Sequence, residues 1–193
     1  MTRSEVPTEW VKIIELLDPK RGERILDVGA GRGDKAAKIL RSFPGTDVYA
    51  VDPNEKRIAD AKRDHPALKS SVATAERLPF SDSYFDKAYS TMALHHFNDL
   101  DQALSEIVRV LKPGGSYVIL EVEPRSFTGT LFRFFGRLMG EHTSIMTLSE
   151  CLARMGKAKG VQVVTSASLG AKYLVRLRKS QGPSQSGPAY EPL

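Results

Sequence analysis

The sequence predicts an α/β protein, a mostly parallel sheet with helices on both faces. Apolar runs of four to seven residues alternate along the chain with amphipathic stretches, the pattern of buried strands joined by crossover helices. One such run, Ile25-Leu26-Asp27-Val28, leads directly into Gly29-Ala30-Gly31-Arg32-Gly33 and then a helical stretch, the arrangement of a ligand-binding turn. The length of 193 residues suits one domain that buries roughly 70% of its unfolded surface, enough for such a core.

In order, Val11, Ile14, Leu16 and Leu17 follow helical spacing and stop before Pro19. Strands are expected over 24–28, 47–51, 68–72 and 85–89, each a short run rich in apolar or β-branched residues. Helices over 34–42 and 54–63 separate the first three, with Asn54 placed as an N-cap. Residues 100–111 carry Leu104, Ile107, Val108 and Leu111 on one face, and Pro113-Gly114-Gly115 ends that helix. A fifth strand over 117–122 follows. Thr147-Leu148-Ser149-Glu150 has the form of a capping box opening a helix to Met155. Strands over 161–165 and 172–177, joined by a Ser/Gly connection, form an antiparallel hairpin and bring the count to seven.

The chain reads as a single domain over 1–179, with a helical insertion or lid over 123–146 and a disordered tail over 180–193, poor in large apolar residues. Within the insertion, Leu131, Phe132, Phe134, Phe135, Leu138 and Met139 share a helical face, with Arg133 and Arg137 opposite. Lying across the carboxyl ends of the sheet, it would give an acceptor site an apolar aromatic wall; core packing, a dimer contact and peripheral membrane contact are the alternatives, so monomer and homodimer both stay open. Trp10 is a candidate for closing the other side of such a pocket.

Composition narrows the class. Apolar residues at 41% and charged residues at 26% exclude collagen, a disulfide scaffold and wholesale disorder. A lone cysteine, Cys151, supports neither an internal disulfide nor a thiolate metal cluster. No apolar run approaches the roughly 20 residues of a membrane span, so no transmembrane segment is expected, and Met1-Thr2-Arg3-Ser4-Glu5 leads into no signal-peptide core. A cytoplasmic location follows as an expectation. The net charge is +5, and Lys172, Arg176, Arg178 and Lys179 cluster within eight residues, which permits contact with nucleic acid or an anionic surface without favouring it over a solvated strand end.

The glycine loop decides the ligand class. Gly29, Gly31 and Gly33 remove Cβ atoms that would hold a ligand off the backbone, and Asp52, 19 residues after Gly33, stands at the second strand's tip, where a carboxylate accepts from both hydroxyls of a ribose. A dinucleotide fingerprint needs Gly or Ala where this chain has Asp34, whose charge would repel a pyrophosphate; Asp34 reads otherwise as a helix cap. With Asp27 adding a second negative charge, the better match is S-adenosylmethionine, which carries a sulfonium and an α-ammonium.

These residues, with Val51-Asp52, Ala75-Glu76-Arg77-Leu78-Pro79-Phe80, Ser83-Tyr84-Phe85-Asp86, Ala93-Leu94-His95-His96-Phe97 and residues 106–115, Glu-Ile-Val-Arg-Val-Leu-Lys-Pro-Gly-Gly, resemble the class I S-adenosylmethionine-dependent methyltransferases, specifically the small-molecule group that includes quinone and sterol methyltransferases. The resemblance spans roughly residues 20–125. It implies a Rossmann-like seven-stranded sheet of order 3-2-1-4-5-7-6 with strand 7 antiparallel. It also implies that Gly29, Ala30, Gly31 and Gly33 pass the methionine half of the cofactor, that Asp27 reaches its amino group, that Asp52 holds the ribose, and that Pro53, Ala75, Glu76 and Leu78 border the adenine. The family's usual Asp before Ala75 is Thr74 here, which replaces a charge-assisted hydrogen bond with a neutral one worth about 1 kcal/mol less.

Methyl transfer to a small, apolar or aromatic acceptor, leaving S-adenosylhomocysteine, is the function expected. His95 is the candidate catalytic base, His96 a weaker one, and either is equally readable as loop packing. Glu121 and Glu123 alternate along the fifth strand, as a carboxylate pair or as strand-end solvation, and no metal site is expected. An RNA or protein methyltransferase and a non-catalytic cofactor-binding protein are the alternatives. Against the first, Ser90-Thr91-Met92-Ala93 stands where planar-nitrogen methyltransferases carry Asn-Pro-Pro-Tyr.

Overall fold

A computed structural model of the chain describes residues 8–124, 146–181 and 191–192; the insertion expected over 123–146 falls almost entirely outside them, as does most of the tail. The strands are β1 (Arg24–Val28), β2 (Asp47–Asp52), β3 (Lys69–Val72), β4 (Phe85–Thr91), β5 (Leu111–Val122), β6 (Val161–Leu169), β7 (Lys172–Lys179) and β8 (Glu191–Pro192), in the spatial order β3-β2-β1-β4-β5-β7-β6-β8. Strands β1 to β5 are mutually parallel, and β7 runs antiparallel to both its neighbours. The first seven positions carry the expected order. The eighth is a difference from the sequence reading: Glu191 and Pro192 pair with Thr165 and Ser166 of β6. An edge strand offers unpaired backbone groups to any extended segment, and a proline is tolerated on the outer side.

Helices cover both faces. α1 (Thr8–Leu17) and α2 (Asp34–Ser42) bury Trp10, Ile13, Leu17, Ala36 and Ile39 against Ile25, Tyr89, Val118 and Leu174. On the other side α4 (Leu100–Val110) and α5 (Leu148–Met155) bury Leu104, Ile107, Cys151 and Met155 against Leu26, Ala88, Ile119 and Val175. α3 (Glu55–Asp64) lies between β2 and β3 in the chain. Among the described residues no helix is long and apolar enough to cross a membrane.

The predicted caps form. Asn54 Oδ1 accepts from Arg57 N–H at 3.0 Å, and Thr147 with Glu150 makes a reciprocal capping box. Asp34 caps nothing: α2 starts from Gly33 at φ 76°, and the Asp34 carboxylate lies 3.0 Å from His65 Nε2. The fourth helix ends one residue early, at Val110, because Leu111 already pairs with Phe85 of β4. Lys112-Pro113-Gly114-Gly115 then bulges opposite Asp86, and a Cβ at Gly115 would lie 2.8 Å from the Asp86 carbonyl oxygen.

Two motif carboxylates outside the glycine loop act as fasteners. Glu106 Oε2 accepts from Leu78 N–H at 2.9 Å, while its partner Arg109 donates to the Leu78 and Phe80 carbonyls and to Asp82. Asp86 joins Arg24 N–H to the Lys112 ammonium. Charge-assisted bonds of this kind set the path of a segment that has little apolar surface of its own.

Asp27 is buried in β1, where Tyr89 donates to its Oδ2 at 2.7 Å and Oδ1 has no partner among the described residues. Burial pushes its pKa up to about 7, against the opposing effect of the Tyr89 bond. Because the folded value exceeds the unfolded one, the contribution of Asp27 to stability is complete below the unfolded pKa near 3.8 and lost as pH rises toward 7. Denaturant unfolding of wild type and Asp27→Asn across that window should therefore show a steeper loss with rising pH in wild type. Parallel curves would place the carboxyl's titration elsewhere. A second expectation concerns Gly33: its positive φ, and the 2.7 Å that would separate an added Cβ from Leu68 Cδ2, predict that Gly33→Ala lowers unfolding free energy by about 1–3 kcal/mol.

Candidate functional site

A cavity of about 450 Å³ opens at the carboxyl ends of β1, β2 and β4. Strand order reverses there, since β1 pairs with β2 on one side and β4 on the other, and the connections leave in opposite directions. A larger groove of about 680 Å³ runs between α4 and α5, lined by Leu104, Val108, Arg154 and Lys157 among others, and contains none of the residues the sequence marks as a site.

The floor is built by Asp52. Its side chain is nearly buried, with Oδ2 accepting from Gly31 N–H at 2.8 Å and Oδ1 from Asn54 N–H at 3.0 Å. The Val51 carbonyl, one residue earlier, accepts from both Gly29 and Ala30 N–H groups at 2.9 Å. The tip of β2 therefore holds the turn after β1 and the start of α3 together. Each carboxylate oxygen has a second lone-pair direction, so these bonds leave acceptor capacity for a ligand hydroxyl.

The three glycines do different work. A Cβ at Gly29, where φ is 78°, would sit 2.4 Å from Ala93 Cβ, so this glycine lets the loop after β4 approach. At Gly33 the obstruction would be Leu68, which makes it a packing glycine. Gly31 is the reverse, since a Cβ there meets nothing within 4 Å. The space beside Gly31 is the one a ligand can use.

The segment after β3 makes the opposite wall through Ala73, Thr74, Ala75 and Glu76. Glu76 Oε1 also accepts from Asn98 N–H at 2.7 Å and Asp99 N–H at 3.2 Å, tying this segment to the loop after β4. That loop contributes Met92, Ala93, His96 and Phe97. Met92 has a φ of 55°, a left-handed conformation that costs a non-glycine residue of order 1 kcal/mol or more, and its N–H is held by the Leu120 carbonyl.

Of the sequence-predicted residues, Gly29, Asp52, Pro53, Ala75 and Glu76 line the cavity, whereas Asp27, Ala30, Gly31, Gly33 and His95 do not. Asp27 lies in the core under the loop, against Tyr89. His95 is buried to 1% exposure, with Nδ1 2.9 Å from Glu121 Oε1, and its ring centroid is 4.1 Å from that of His96. The histidine on the cavity wall is thus His96, supported from behind by His95 and Glu121. Glu121 and Glu123 divide as well: Glu121 serves His95, and Glu123 Oε2 accepts from Leu148 N–H at 3.2 Å. Among the described residues no group of His, Cys, Asp or Glu could hold a metal. Trp10 packs on the far face and takes no part in the cavity.

Sequence reasoning missed Arg57, Met92, Phe97 and Asn98 as wall residues. Arg57 had a signal, one helical turn into a helix whose cap, Asn54, is legible. Phe97 closes the Ala93–Phe97 motif; Met92 and Asn98 had no signal, because their position depends on Glu76 and Leu120, which are remote in sequence.

A family model described as a methyltransferase domain matches residues 26–119. The chain is 35% identical over 111 residues to a demethylmenaquinone methyltransferase of Chlorobaculum parvum, covering 57% of this chain and 46% of the relative. It is 39% identical over 105 residues to the ubiquinone/menaquinone biosynthesis C-methyltransferase UbiE of Bordetella parapertussis, covering 52% and 41%. The match thus spans less than half the length of either relative. In fold the chain is similar to an S-adenosylmethionine-dependent methyltransferase from Mesorhizobium loti, with a TM-score of 0.77 at 20% identity over 89% of this chain and 97% of that one. The matched domain, the order of the first seven strands, and a glycine turn locked by the β2 carboxylate at the reversal point make the chain similar, in sequence over 26–119 and in fold, to the class I S-adenosylmethionine-dependent methyltransferases.

Proposed function

We propose that the chain transfers a methyl group from S-adenosylmethionine to a small, apolar or aromatic acceptor, an acceptor class that includes the quinone precursors named for its relatives. The observation that carries this reading is the cavity at the strand reversal. A buried carboxylate forms its floor beside a glycine whose missing Cβ leaves open space.

The residues present suit the cofactor. Asp52 would hold the ribose hydroxyls with the lone pairs its backbone bonds leave unused, Pro53 and Ala75 would flank the adenine, and Thr74, on the same wall, would meet its polar edge. Gly31 would pass the methionine portion, with Asp27 and its partner Tyr89 underneath. When bound, the sulfonium supplies an activated methyl group for in-line displacement.

The protein's own part is alignment and exclusion of water. Asp52 and the Val51 carbonyl fix the loop after β1, Glu76 fixes the loop after β4, and Met92 and Phe97 give that loop an apolar surface. His96 is the histidine placed to touch a ligand, and the buried contact of His95 with Glu121 keeps the wall behind it in one position. His95, read from sequence as the base, therefore acts in this proposal through His96. The expected insertion over 123–146 would supply the acceptor's apolar cover.

Titration calorimetry with S-adenosylhomocysteine, run beside NAD, tests the cofactor. Micromolar binding of the first and none of the second is expected. Thr74→Trp, which fills the cavity without touching the loop bonds, should weaken S-adenosylhomocysteine at least tenfold, about 1.4 kcal/mol, while leaving the thermal midpoint close to wild type. Gly31→Ala should also weaken binding by narrowing the open space, with a lowered thermal midpoint because alanine is strained at φ 58°. Binding that survives both substitutions would place the cofactor elsewhere. Incubation with S-adenosylmethionine and demethylmenaquinol should give a methylated product, and turnover only with RNA or a protein would overturn the acceptor class.

A further inference from the structure

The basic stretch near the end of β7 divides once its partners are known. Lys172 pairs with Glu9 at 3.0 Å, and Lys179 donates to the Leu111 and Arg109 carbonyls, so both are committed within the fold. Arg176 and Arg178 make no salt bridge among the described residues. They share the α1 face of the sheet with Leu174, near the amino ends of β4 and β5 and so at the opposite edge from the cofactor cavity.

Register places a row of polar groups there. Arg178 faces Ser116 of β5 on one side and Gln162 of β6 on the other, Ser116 faces Lys87 of β4, and Arg176 lies two residues along β7 on the same face. Directly opposed side chains on one face start about 5 Å apart and diagonal ones about 7–8 Å, within reach of a single small ligand. Ser116 is 3% exposed, and among the described residues neither its Oγ nor the buried Arg176 Nε has a hydrogen-bond partner. Arg178 uses one donor, Nε, on the Gly114 carbonyl at 3.3 Å. Nearby carboxylates are already engaged: Asp18 with Lys20, and Glu23 with Lys87, whose ammonium also donates to the Asp18 carbonyl. Burial and the neighbouring Arg178 charge pull the Arg176 pKa down, the nearby Asp18 carboxylate opposes them, and the guanidinium keeps its charge.

We propose that Arg176, Arg178 and Ser116 form a binding site for a phosphate-type oxyanion, separate from the methyl-transfer site. Two planar guanidinium forks and a hydroxyl supply the donors that a tetrahedral dianion accepts, and the anion supplies a direct ion pair that neither arginine makes with a carboxylate among the described residues. The footprint covers one phosphate group. A nucleic-acid backbone would need a row of cations, and Lys172 and Lys179 are unavailable to extend it.

Titration with inorganic phosphate at constant ionic strength tests the site. Saturable binding with a Kd on the order of 1 mM or tighter is expected, and Arg176→Met should weaken it at least tenfold. S-adenosylhomocysteine affinity should stay at its wild-type value, and no phosphate response should arise from the cofactor cavity. Ser116→Ala and Arg178→Met, each a milder change, carry the test if Arg176→Met does not fold, and each should reduce phosphate affinity severalfold. Co-sedimentation with phosphatidic acid vesicles, against phosphatidylcholine alone, distinguishes a lipid headgroup from a free phosphate monoester as the source. No saturable phosphate binding by the folded wild type, or binding unchanged in the variants, would overturn the site.

Discussion

The Asp52 carboxylate is the constraint on which the functional end of the molecule depends. It stands at the tip of β2, almost out of solvent, and accepts from Gly31 on one side and Asn54 on the other. A buried carboxylate survives only if its charge is hydrogen-bonded, and two backbone N–H groups provide that here. The consequence is geometric. The turn after β1 cannot drift from the start of α3, and the cavity between them keeps its shape before any ligand arrives. In the function proposed, the same residue both builds the site and meets the ligand.

A second theme is that motif residues close to the site are divided between ligand and scaffold. Gly29 and Gly33 are glycines because Ala93 and Leu68 come close, whereas Gly31 faces space. Glu76 looks toward the cavity yet bonds the backbone of Asn98 and Asp99. Glu106, Arg109 and Asp86, far from the cavity, fasten the segments that lead into β4 and β5. Spacing alone does not separate these roles, since each demands the same residue type for a different physical reason.

The two ends of the sheet present different charged groups to their candidate sites. At the carboxyl ends, Asp27 and Asp52 place acidic groups under the glycine loop, and burial keeps one of them inclined toward its protonated form. At the amino ends, Arg176 and Arg178 stand on β7 and make no salt bridge to a carboxylate among the described residues. The methyl donor of the proposed function is a cation and the ligand proposed for the second site is an anion, so each proposed ligand is matched in sign by the groups that would hold it.

The sequence by itself determined the class, the order of elements and the cavity's main floor. Strand and helix periods, the caps at Asn54 and Thr147, and the spacing from Gly33 to Asp52 are local patterns, and local patterns are readable without a structure. Only the tertiary structure decided which residues meet the cavity. His95 and His96 are adjacent in sequence, and the register of β5 against β4 brings Glu121 to one and leaves the other on the wall. Asp27 withdrew behind the loop because strand alternation points it at Tyr89. Glu191 and Pro192 found an unpaired edge that composition does not reveal. In each case the deciding contact joins residues tens of positions apart, and the direction of a side chain in such a contact is set by packing and not by its neighbours along the chain.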